Sequence, residues 1–257
     1  MTHFVIHGGG RMARQVCLAV ERSGNRLEAV VARRRPEWLG DTPWVGDFDA
    51  LTQRPDVVID FTLTGGTAAA ATWARLNLVA LVSGTTALDD ADLRALERAA
   101  ELVPVLWSPN LARGPNQLYD VVHRTAHALG TSAGVRIDEI HHVHKKDAPS
   151  GTALWLAQAV ASAWGRQSAD LLRTGVDADA LPSAGEVLCS SERTGEVVGT
   201  HRVTFYTETD RLSYTHEARD RAIFAQGSVE AANWLLNQPA GLYSGAHWLG
   251  AIGEPDH

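Results

Sequence analysis

The chain begins with a short apolar segment, three consecutive glycines and a helical segment, and this order restricts the folds open to it. Residues 2–7 have the composition of a short buried strand, and residues 11–23 have a helical pattern. Between them Gly8, Gly10 and Ala13 fit the spacing G-x-G-x-x-A, which is typical of a turn whose backbone approaches the pyrophosphate of a dinucleotide. A tight glycine turn without a ligand is the alternative interpretation.

Strand-like and helix-like segments continue to alternate as far as residue 107. An alanine-rich helix is predicted from Thr67, and a charged amphipathic helix at 89–102 has Asp89 as its expected N-cap. Apolar strands separated by helices favour a parallel sheet that is covered by helices on both faces. Further strands of this sheet are predicted at residues 27–32, 56–61, 78–83 and 103–107.

The pattern changes after residue 113. Val203 and Phe205 alternate with polar residues, and residues 211–216 alternate in the same way, which indicates a sheet with one covered face. A strand is also predicted at 135–140, with helices at 115–129, from Ser150 and at 223–236. The predicted fold class is therefore α/β: a Rossmann-like parallel-sheet nucleotide domain plus a smaller α+β domain with an open mixed sheet.

Charge and cysteine content exclude several classes of protein. The 257 residues carry a formal net charge of −7, so no nucleic acid and no membrane is expected as a partner, because both favour a basic face. The two cysteines, Cys17 and Cys189, form no metal-binding or disulfide pattern. No apolar run reaches the length of a membrane span. A cytoplasmic location is therefore expected.

The segment 139–153 concentrates basic side chains within this acidic chain. His141, His142 and Lys145 precede a helix start at Ser150-Gly151-Thr152. Histidine can deliver a proton near neutral pH, lysine can neutralise a carboxylate, and a helix N-terminus attracts anions. The segment therefore predicts a small dicarboxylate substrate that is protonated as it is reduced, with the first amides of the helix holding one carboxylate.

Three histidines within four residues also invite a metal-binding interpretation. On a continued strand, His142 and His144 would share a face and His141 would point the other way. No cysteine cluster or third ligand lies near in the sequence, so no metal is predicted. A buried structural role is the ordinary alternative for any single histidine, but burying the whole cluster would be costly.

The end of the second predicted strand indicates which nicotinamide cofactor fits. An NAD-binding fold commonly has an acid there that bonds the ribose hydroxyls, whereas this chain has Ala32 followed by Arg33, Arg34 and Arg35. Arginines there would accept a 2′-phosphate, so NADPH is favoured over NADH. A solvated basic loop is the alternative interpretation.

With these residues assembled, the chain resembles the dihydrodipicolinate reductase family over nearly its whole length. The family signature E-x-H-H-x-x-K-x-D-x-P-S-G-T-A is matched from Glu139 to Ala153. Shorter family patterns are matched by Asp60-Phe61-Thr62, by Gly84-Thr85-Thr86, by Asn110 with Gly114 and Asn116, by Arg193 with Gly195, Gly199 and His201, and by His216 with Arg221, Phe224 and Gly227.

The resemblance implies hydride transfer from NADPH or NADH to the C=N of a cyclic 2,6-dicarboxylate. This step reduces 4-hydroxy-tetrahydrodipicolinate to tetrahydrodipicolinate in lysine and diaminopimelate biosynthesis. The resemblance also implies a dinucleotide-binding domain of residues 1–112 and 222–257, a substrate-binding and oligomerisation domain of residues 113–221, and a homotetramer. The alternatives are a paralogue that reduces another cyclic imine acid, and a non-catalytic nucleotide-binding protein of the same fold.

By the same resemblance, individual residues receive expected roles. His141 and Lys145 are the expected catalytic residues, and His201 and His216 are interpreted as structural. Substrate binding is expected of His142, Lys145, Ser150, Gly151 and Thr152. Cofactor binding is expected of Gly8, Gly9, Gly10, Arg11, Met12, Arg33, Arg34, Phe61, Gly84, Thr85, Thr86, Ser108, Pro109, Asn110, Leu111, Arg221 and Phe224.

The chain departs from the family pattern mainly in the cofactor turn. The family has G-x-x-G-x-M-G there, and this chain has His7 and Ala13 at the outer glycines. A side chain at position 7 could crowd the pyrophosphate, although Gly8 could take over the close approach. Ala32 stands where the family often has an acid, and Ala87 replaces the last glycine of G-T-T-G.

Overall fold

The computed structural model describes residues 1–86, 88–177 and 179–250, so Ala87 and the end of the range 222–257 lie outside the described residues. In chain order the strands are β1 (His3–His7), β2 (Arg26–Val31), β3 (Trp44–Val45), β4 (Val57–Asp60), β5 (Ala80–Ser83), β6 (Pro104–Trp107), β7 (Gly134–His141), β8 (Leu172–Thr174), β9 (Val187–Arg193), β10 (Gly199–Tyr206), β11 (Arg211–Ala218) and β12 (Gly241–Tyr243). The helices are α1 (Arg11–Arg22), α2 (Gly66–Asn77), α3 (Asp90–Ala100), α4 (Arg113–Leu129), α5 (Gly151–Ala163), α6 (Ser168–Leu171), α7 (Ala222–Leu235) and α8 (Gly245–Trp248).

The chain forms two compact units. The first consists of Met1–Arg113 and the chain from Ala222 onward, and the second is the continuous segment Gly114–Arg221. In the first unit the strands form a parallel sheet in the order β12-β6-β5-β4-β1-β2-β3. Because β1 pairs with β2 on one side and β4 on the other, the strand order reverses at β1. Open α/β sheets bind ligands beyond the carboxyl ends of the strands at such a reversal.

Both faces of this parallel sheet are covered by helices, as the sequence predicts. Phe4 and Ile6 of β1 belong to a buried cluster that includes residues of α1 and α7. Val5 points to the opposite face, where its cluster includes residues of α2 and α3. The alternation along β1 follows from the period of two in a strand. The rule that parallel sheets are buried on both faces accounts for the apolar runs in the sequence.

In the first unit, the predicted cap of α3 is confirmed, and the predicted start of β5 is wrong. Asp89 is the N-cap of α3, and its side chain accepts hydrogen bonds from the backbone N–H groups of Ala91 and Asp92. The strand predicted from residue 78 is wrong at its start, because Leu78 ends α2 in a left-handed conformation with φ of 53°. The strand therefore begins at Ala80.

The second unit contains a mixed sheet in the order β11-β10-β7-β9-β8. β10 pairs antiparallel with β7 and β11, whereas β9 pairs parallel with β7 and β8. One face, which includes Val135, Ile137 and Phe205, is buried together with residues of α4 and α5. The covered face agrees with the alternation in the sequence. The sequence does not predict α6 and β8, because they span only 4 and 3 residues. In the part of the chain that the structure describes, no helix is long and apolar enough to span a membrane.

Candidate active site

The register of the second sheet assembles the centre of the site. Glu139 and His141 lie two residues apart on β7, so their side chains share the face that α5 covers. β10 places His201 directly opposite Glu139, and β9 places Arg193 opposite His141. Four ionisable side chains from three strands therefore meet at one end of this sheet.

Glu139 is a buried carboxylate that holds the centre together. Its Oε2 contacts Nδ1 of His141, and its Oε1 accepts hydrogen bonds from Nη2 of Arg193 at 2.8 Å and from the backbone N–H of Ser150 at 3.2 Å. Burial would raise the pKa of Glu139, but the hydrogen bonds from His141, Arg193 and Ser191 outweigh it and hold this pKa well below its usual range. Glu139 is therefore ionised and fixes the ring of His141.

The opposite ring nitrogen of His141 lies beside a glycine. A Cβ atom at Gly199 would stand only 2.9 Å from Nε2 of His141, so the missing side chain leaves room at this nitrogen. The imidazole is largely buried, with 10% of its side chain exposed. A histidine with one nitrogen on a carboxylate and the other uncrowded has the arrangement of a group that exchanges a proton with a ligand.

His201, which the sequence interpretation makes structural, lies in this centre. Its ring meets that of His141 edge-on, with 5.1 Å between the ring centroids, and its Nε2 lies 3.0 Å from Oγ of Ser150. Burial, together with the charge of His141, lowers the pKa of His201 to about 3. His201 is therefore neutral at any working pH and packs against His141 without adding charge.

The segment after His141 is a loop and not a continued strand. β7 ends at His141, and the backbone N–H of Lys145 bonds to the carbonyl oxygen of His142 at 3.1 Å, which closes a turn. The shared face that a continued strand would give His142 and His144 therefore does not form. Nζ of Lys145 lies 2.8 Å from Oδ2 of Asp147. Desolvation, followed by the positive charge of Arg221, lowers the pKa of His142, so this ring is mainly neutral near pH 7.

The loop leads into the start of α5, where the predicted anion site lies. Ser150 is the N-cap, and its hydroxyl accepts a hydrogen bond from the backbone N–H of Ala153 at 3.2 Å. The Ser150 side chain is buried, so its hydroxyl serves the helix and His201. At the first two positions of the helix, Gly151 is exposed and Thr152 is half-buried. Backbone N–H groups and the helix dipole favour a negative charge at this helix start.

No third metal ligand lies near the histidines in the sequence, yet the fold brings three possible ligands together. The ligand atoms of Glu139, His141 and His201 lie within 4.8 Å of one another. Glu139 is already paired with the guanidinium of Arg193, whose positive charge opposes a cation in the same place. This pairing favours proton chemistry over metal binding at these residues.

In the first unit, the glycine turn has the shape that the sequence predicts. Gly8 adopts φ of +128°, and a Cβ atom there would stand 2.5 Å from the carbonyl oxygen of Phe61, so only glycine fits. Gly10 is the N-cap of α1, and open space surrounds the position of its missing Cβ. Among the described residues, no side chain caps this helix and no acid lies in its first turn. These features fit the pyrophosphate of a dinucleotide.

The other residues expected to bind cofactor fall into two groups in the structure. Arg33 and Arg34 are exposed directly after β2, Arg221 is exposed in the second unit, and Phe224 is half-buried on α7. Thr85, Ser108, Asn110 and Leu111 are instead buried. The hydroxyl of Thr85 bonds to Asp60, and that of Ser108 bonds to the carbonyl oxygen of Asn110. The hydroxyl groups of Thr85 and Ser108 are therefore bonded within the turns, and only the backbone of these two residues remains to bind a ligand.

Sequence reasoning missed two residues of the site. Glu139 and Arg193 were noted only as members of family patterns, whereas the structure pairs them in the centre. The spacing E-x-H could have identified Glu139, because two residues on a strand share a face. Arg193 lies 52 residues beyond His141 in number, and only the pairing of β7 with β9 brings them together.

A Rossmann-type sheet with a glycine turn, together with a second unit that carries a carboxylate–histidine pair, defines a class of nucleotide-dependent oxidoreductase. The chain matches the profile described as "Dihydrodipicolinate reductase, N-terminus" over residues 2–111 and that of the C-terminus over residues 114–249. It therefore belongs to the dihydrodipicolinate reductase family, a family of pyridine-nucleotide-dependent reductases.

Individual relatives agree with this assignment. The 4-hydroxy-tetrahydrodipicolinate reductase of Campylobacter curvus is 37% identical over 250 residues, which cover 95% of this chain and 97% of the relative. That of Psychrobacter arcticus is 34% identical over 260 residues, covering 96% and 94%. The fold is similar to that of a dipicolinate-bound dihydrodipicolinate reductase from Paenisporosarcina sp. TG-14, with a TM-score of 0.76, 23% identity, and coverage of 96% of this chain and 98% of that chain.

Proposed function

We propose that the protein reduces 4-hydroxy-tetrahydrodipicolinate to tetrahydrodipicolinate, a step of lysine and diaminopimelate biosynthesis. The net reaction adds a hydride to carbon, consumes a proton and releases water. The names of the curated relatives support this substrate. The observation that carries the proposal is the Glu139–His141 pair, which lies at the end of β7 and is joined to the start of α5 through Ser150.

The two carboxylates of the substrate find cationic and N–H groups in the second unit. Lys145 is partly exposed at 22% of its side chain and carries a positive charge. The first turn of α5 adds the backbone N–H groups of Gly151 and Thr152, and His142 adds a ring that can donate one hydrogen bond while neutral. Lys145 and His142 would hold one carboxylate, and the helix start would hold the other.

The proton is handled by His141. When bound, the nicotinamide would supply a hydride to C4 of the ring. Loss of the C4 hydroxyl as water leaves a C=C bond conjugated with the C=N bond, so that hydride addition at C4 moves an electron pair to the ring nitrogen, and the enamine that forms on protonation tautomerises to tetrahydrodipicolinate. His141, oriented through Nδ1 by Glu139, presents Nε2 and gives a proton to the ring nitrogen. The negative charge of Glu139 stabilises the imidazolium from which that proton leaves, in the manner of a carboxylate that supports a catalytic histidine.

The cofactor is assigned to the first unit. The open N-terminus of α1 at Gly10 would take the pyrophosphate. The reversal of strand order at β1 supports this assignment, because such sheets bind dinucleotides beside a reversal. The exposed guanidinium groups of Arg33 and Arg34 would take the 2′-phosphate of NADPH. NADPH is therefore the favoured cofactor, and NADH is the alternative.

The decisive experiment follows NADPH and NADH oxidation with substrate generated freshly from pyruvate and aspartate semialdehyde by a synthase. We expect oxidation by the unmodified protein and a drop in both turnover and substrate affinity in Lys145→Ala, because this lysine neutralises a carboxylate. Losing one charged contact is expected to lower kcat/KM by about 10- to 100-fold. Lys146→Ala is the matched control, since Lys146 is an exposed neighbouring lysine.

The outcomes of this assay separate the alternatives. Equal losses in the two lysine variants would show a general charge effect and contradict the role of Lys145. Tight nucleotide binding without oxidation would favour another cyclic imine acid as substrate, or a non-catalytic nucleotide-binding protein.

The cofactor preference is tested with the double variant Arg33→Ala/Arg34→Ala. We expect the dissociation constant for NADPH to rise about tenfold or more, with that for NADH within about twofold, because only NADPH carries the 2′-phosphate. The loss for NADPH should shrink at high salt, since the contact lies on the surface. Arg94→Ala, which removes an exposed arginine on α3, is the control. An equal change for both cofactors would contradict the assignment.

We further propose that the protein works in the cytoplasm as a homotetramer. The second sheet supports the oligomer, because its edge strand β11 exposes Arg211, Leu212, Ser213, Thr215 and Glu217. Exposed sheet edges are sites of association unless they are covered.

A further inference from the structure

Asp60 is a fully buried carboxylate at the carboxyl end of β4, next to the predicted cofactor turn. Within the described residues it contacts five side chains. Its Oδ1 lies 3.0 Å from Nδ1 of His7 and 2.8 Å from Oγ1 of Thr62. Its Oδ2 lies 2.6 Å from Oγ1 of Thr67, 2.9 Å from Oγ of Ser83 and 2.9 Å from Oγ1 of Thr85. An ionised carboxylate has about four lone-pair sites, so the acceptor capacity of Asp60 is filled.

Four of these partners stand at the ends of three neighbouring parallel strands, and the fifth, Thr67, lies in α2. His7 is the last residue of β1, Thr62 follows β4, and Ser83 and Thr85 stand at the end of β5. The turns after these strands contain most of the residues assigned to the cofactor, namely Gly8 to Met12, Phe61 and Gly84 to Thr86. One buried carboxylate thus ties together the three turns on which the cofactor is expected to rest.

The three turns also touch one another, so a shift in one is transmitted to the next. The backbone N–H of Thr62 donates to Oγ1 of Thr85 at 3.1 Å. A Cβ atom at Gly8 would collide with the carbonyl oxygen of Phe61, and one at Gly84 would collide with the Phe61 ring. At such close packing, a displacement of a few tenths of an ångström has no free space to relax into.

His7 stands where the family pattern has glycine, and its side chain is turned into this cluster. The imidazole packs against Phe48 with 4.8 Å between ring centroids, and Phe48 in turn stacks on Trp73 at 5.1 Å. Only 12% of the His7 side chain is exposed. The sequence suggested that the side chain of His7 could crowd the pyrophosphate. This geometry indicates instead that the His7 ring packs inside the cluster around Asp60.

We infer that Asp60 is a positioning residue for cofactor binding, and that His7 is an additional arm by which this chain fixes the glycine turn to Asp60. The inference rests on the proposed function in one respect, namely that the three turns hold the nicotinamide nucleotide. Asp60 does not touch the cofactor in this scheme. It acts by holding the backbone of the turns in the geometry that the nucleotide requires.

The electrostatics of Asp60 agree with this role. Burial would raise its pKa, but the hydrogen bonds from His7, Thr67 and Thr62 outweigh burial and lower the pKa below its usual value. Asp60 is therefore ionised at neutral pH and acts only as an acceptor. An asparagine of the same shape would present a donor to groups that are already donors, which leaves at least one of them without a partner.

The test is the equilibrium dissociation constant for NADPH, measured by fluorescence without substrate, in Asp60→Asn. We expect it to rise at least tenfold, while turnover at saturating cofactor and substrate stays within about threefold. His7→Leu should raise the constant at least threefold, because leucine keeps the contact with Phe48 but cannot bond Asp60. His7→Asn, which can still reach Asp60 with a hydrogen bond, should remain within twofold. Thr67→Val and Thr67→Ser form a second matched pair, in which only valine removes a hydroxyl from Asp60.

If Asp60 only stabilises the fold, these measurements give a different result. If Asp60→Asn shows a lower melting temperature but an unchanged NADPH dissociation constant, the inference is wrong. If that variant does not fold, the His7 and Thr67 pairs decide the matter, and unchanged constants in His7→Leu and Thr67→Val overturn it. If the unmodified protein binds nucleotide but does not reduce the imine, the proposed function fails. The inference about Asp60 is then still tested by the NADPH dissociation constants of the variants. Failure to bind any nucleotide overturns both.

Discussion

Replacement of His141 by alanine is expected to abolish most of the turnover and to leave cofactor binding intact. His141 is held by Glu139 through one ring nitrogen and has room at the other, beside Gly199. A positioned acid or base contributes about 10²- to 10⁴-fold to the rate of a proton transfer. We therefore expect kcat to fall by about that factor in steady-state NADPH oxidation, with the NADPH dissociation constant within twofold of the parent.

His144→Ala is the matched control for this variant. His144 lies three residues further along, is 73% exposed, and lies beside Glu196 and the ring of His142. It should keep the activity of the parent protein. If His141→Ala retained a third or more of the parent kcat, the proton would have to come from water or another group, and the role of His141 would be wrong.

Replacement of Glu139 by alanine is expected to damage both activity and stability. The change leaves Arg193, which is 18% exposed, beside an empty site, and it frees His141 to rotate. Breaking a buried ion pair by removing one partner costs about 3–5 kcal/mol of unfolding free energy. Urea denaturation should show this loss, and kcat should fall with it. Arg94→Ala breaks an exposed pair with Asp90 and should cost less than about 0.5 kcal/mol.

The pH dependence of stability gives an independent readout for Glu139. Its pKa is lowered in the folded protein, so its contribution to stability is present above the unfolded-state pKa of about 4.3 and is lost as the pH falls below that value. The unfolding free energy of the parent should therefore decline below about pH 5. In Glu139→Gln the decline should be shallower, because the titrating group is absent. An identical slope in both proteins would show that folding does not lower the pKa of Glu139.

Much of the fold could be predicted from the sequence because the determining signals are local. The glycine turn before α1, the Asp89 cap of α3 and the helix start at Ser150 each depend on a few adjacent residues, and the structure has all three. The apolar runs of the first sheet and the alternation in the second likewise reflect which faces are covered. Short elements such as β3, β8 and β12 were missed, since two or three residues show no periodicity.

The site was less predictable, because its contacts are made across strands. His201 joins His141 only through the register of β10 against β7, and Arg193 joins Glu139 only through the pairing of β9. The gathering of three turns around Asp60 likewise depends on the order of β1, β4 and β5 in the sheet. Spacing along a single chain segment contains none of this information. The end of β7 is predicted to within one residue, but the loop after it is not, because that loop is fixed by its contacts with residues 194 and 195.

The first unit is built from two separated parts of the chain, and this has a consequence during synthesis. Residues of α7 such as Ala225 and Val229 bury the same sheet face as Phe4 and Ile6, and β12 extends the sheet beyond β6. The ribosome synthesises α7 and β12 only after the whole of Gly114–Arg221 has been made. Until then the nascent N-terminal part has an uncovered apolar face, which is the kind of surface that chaperones bind, whereas the inserted unit can finish folding first.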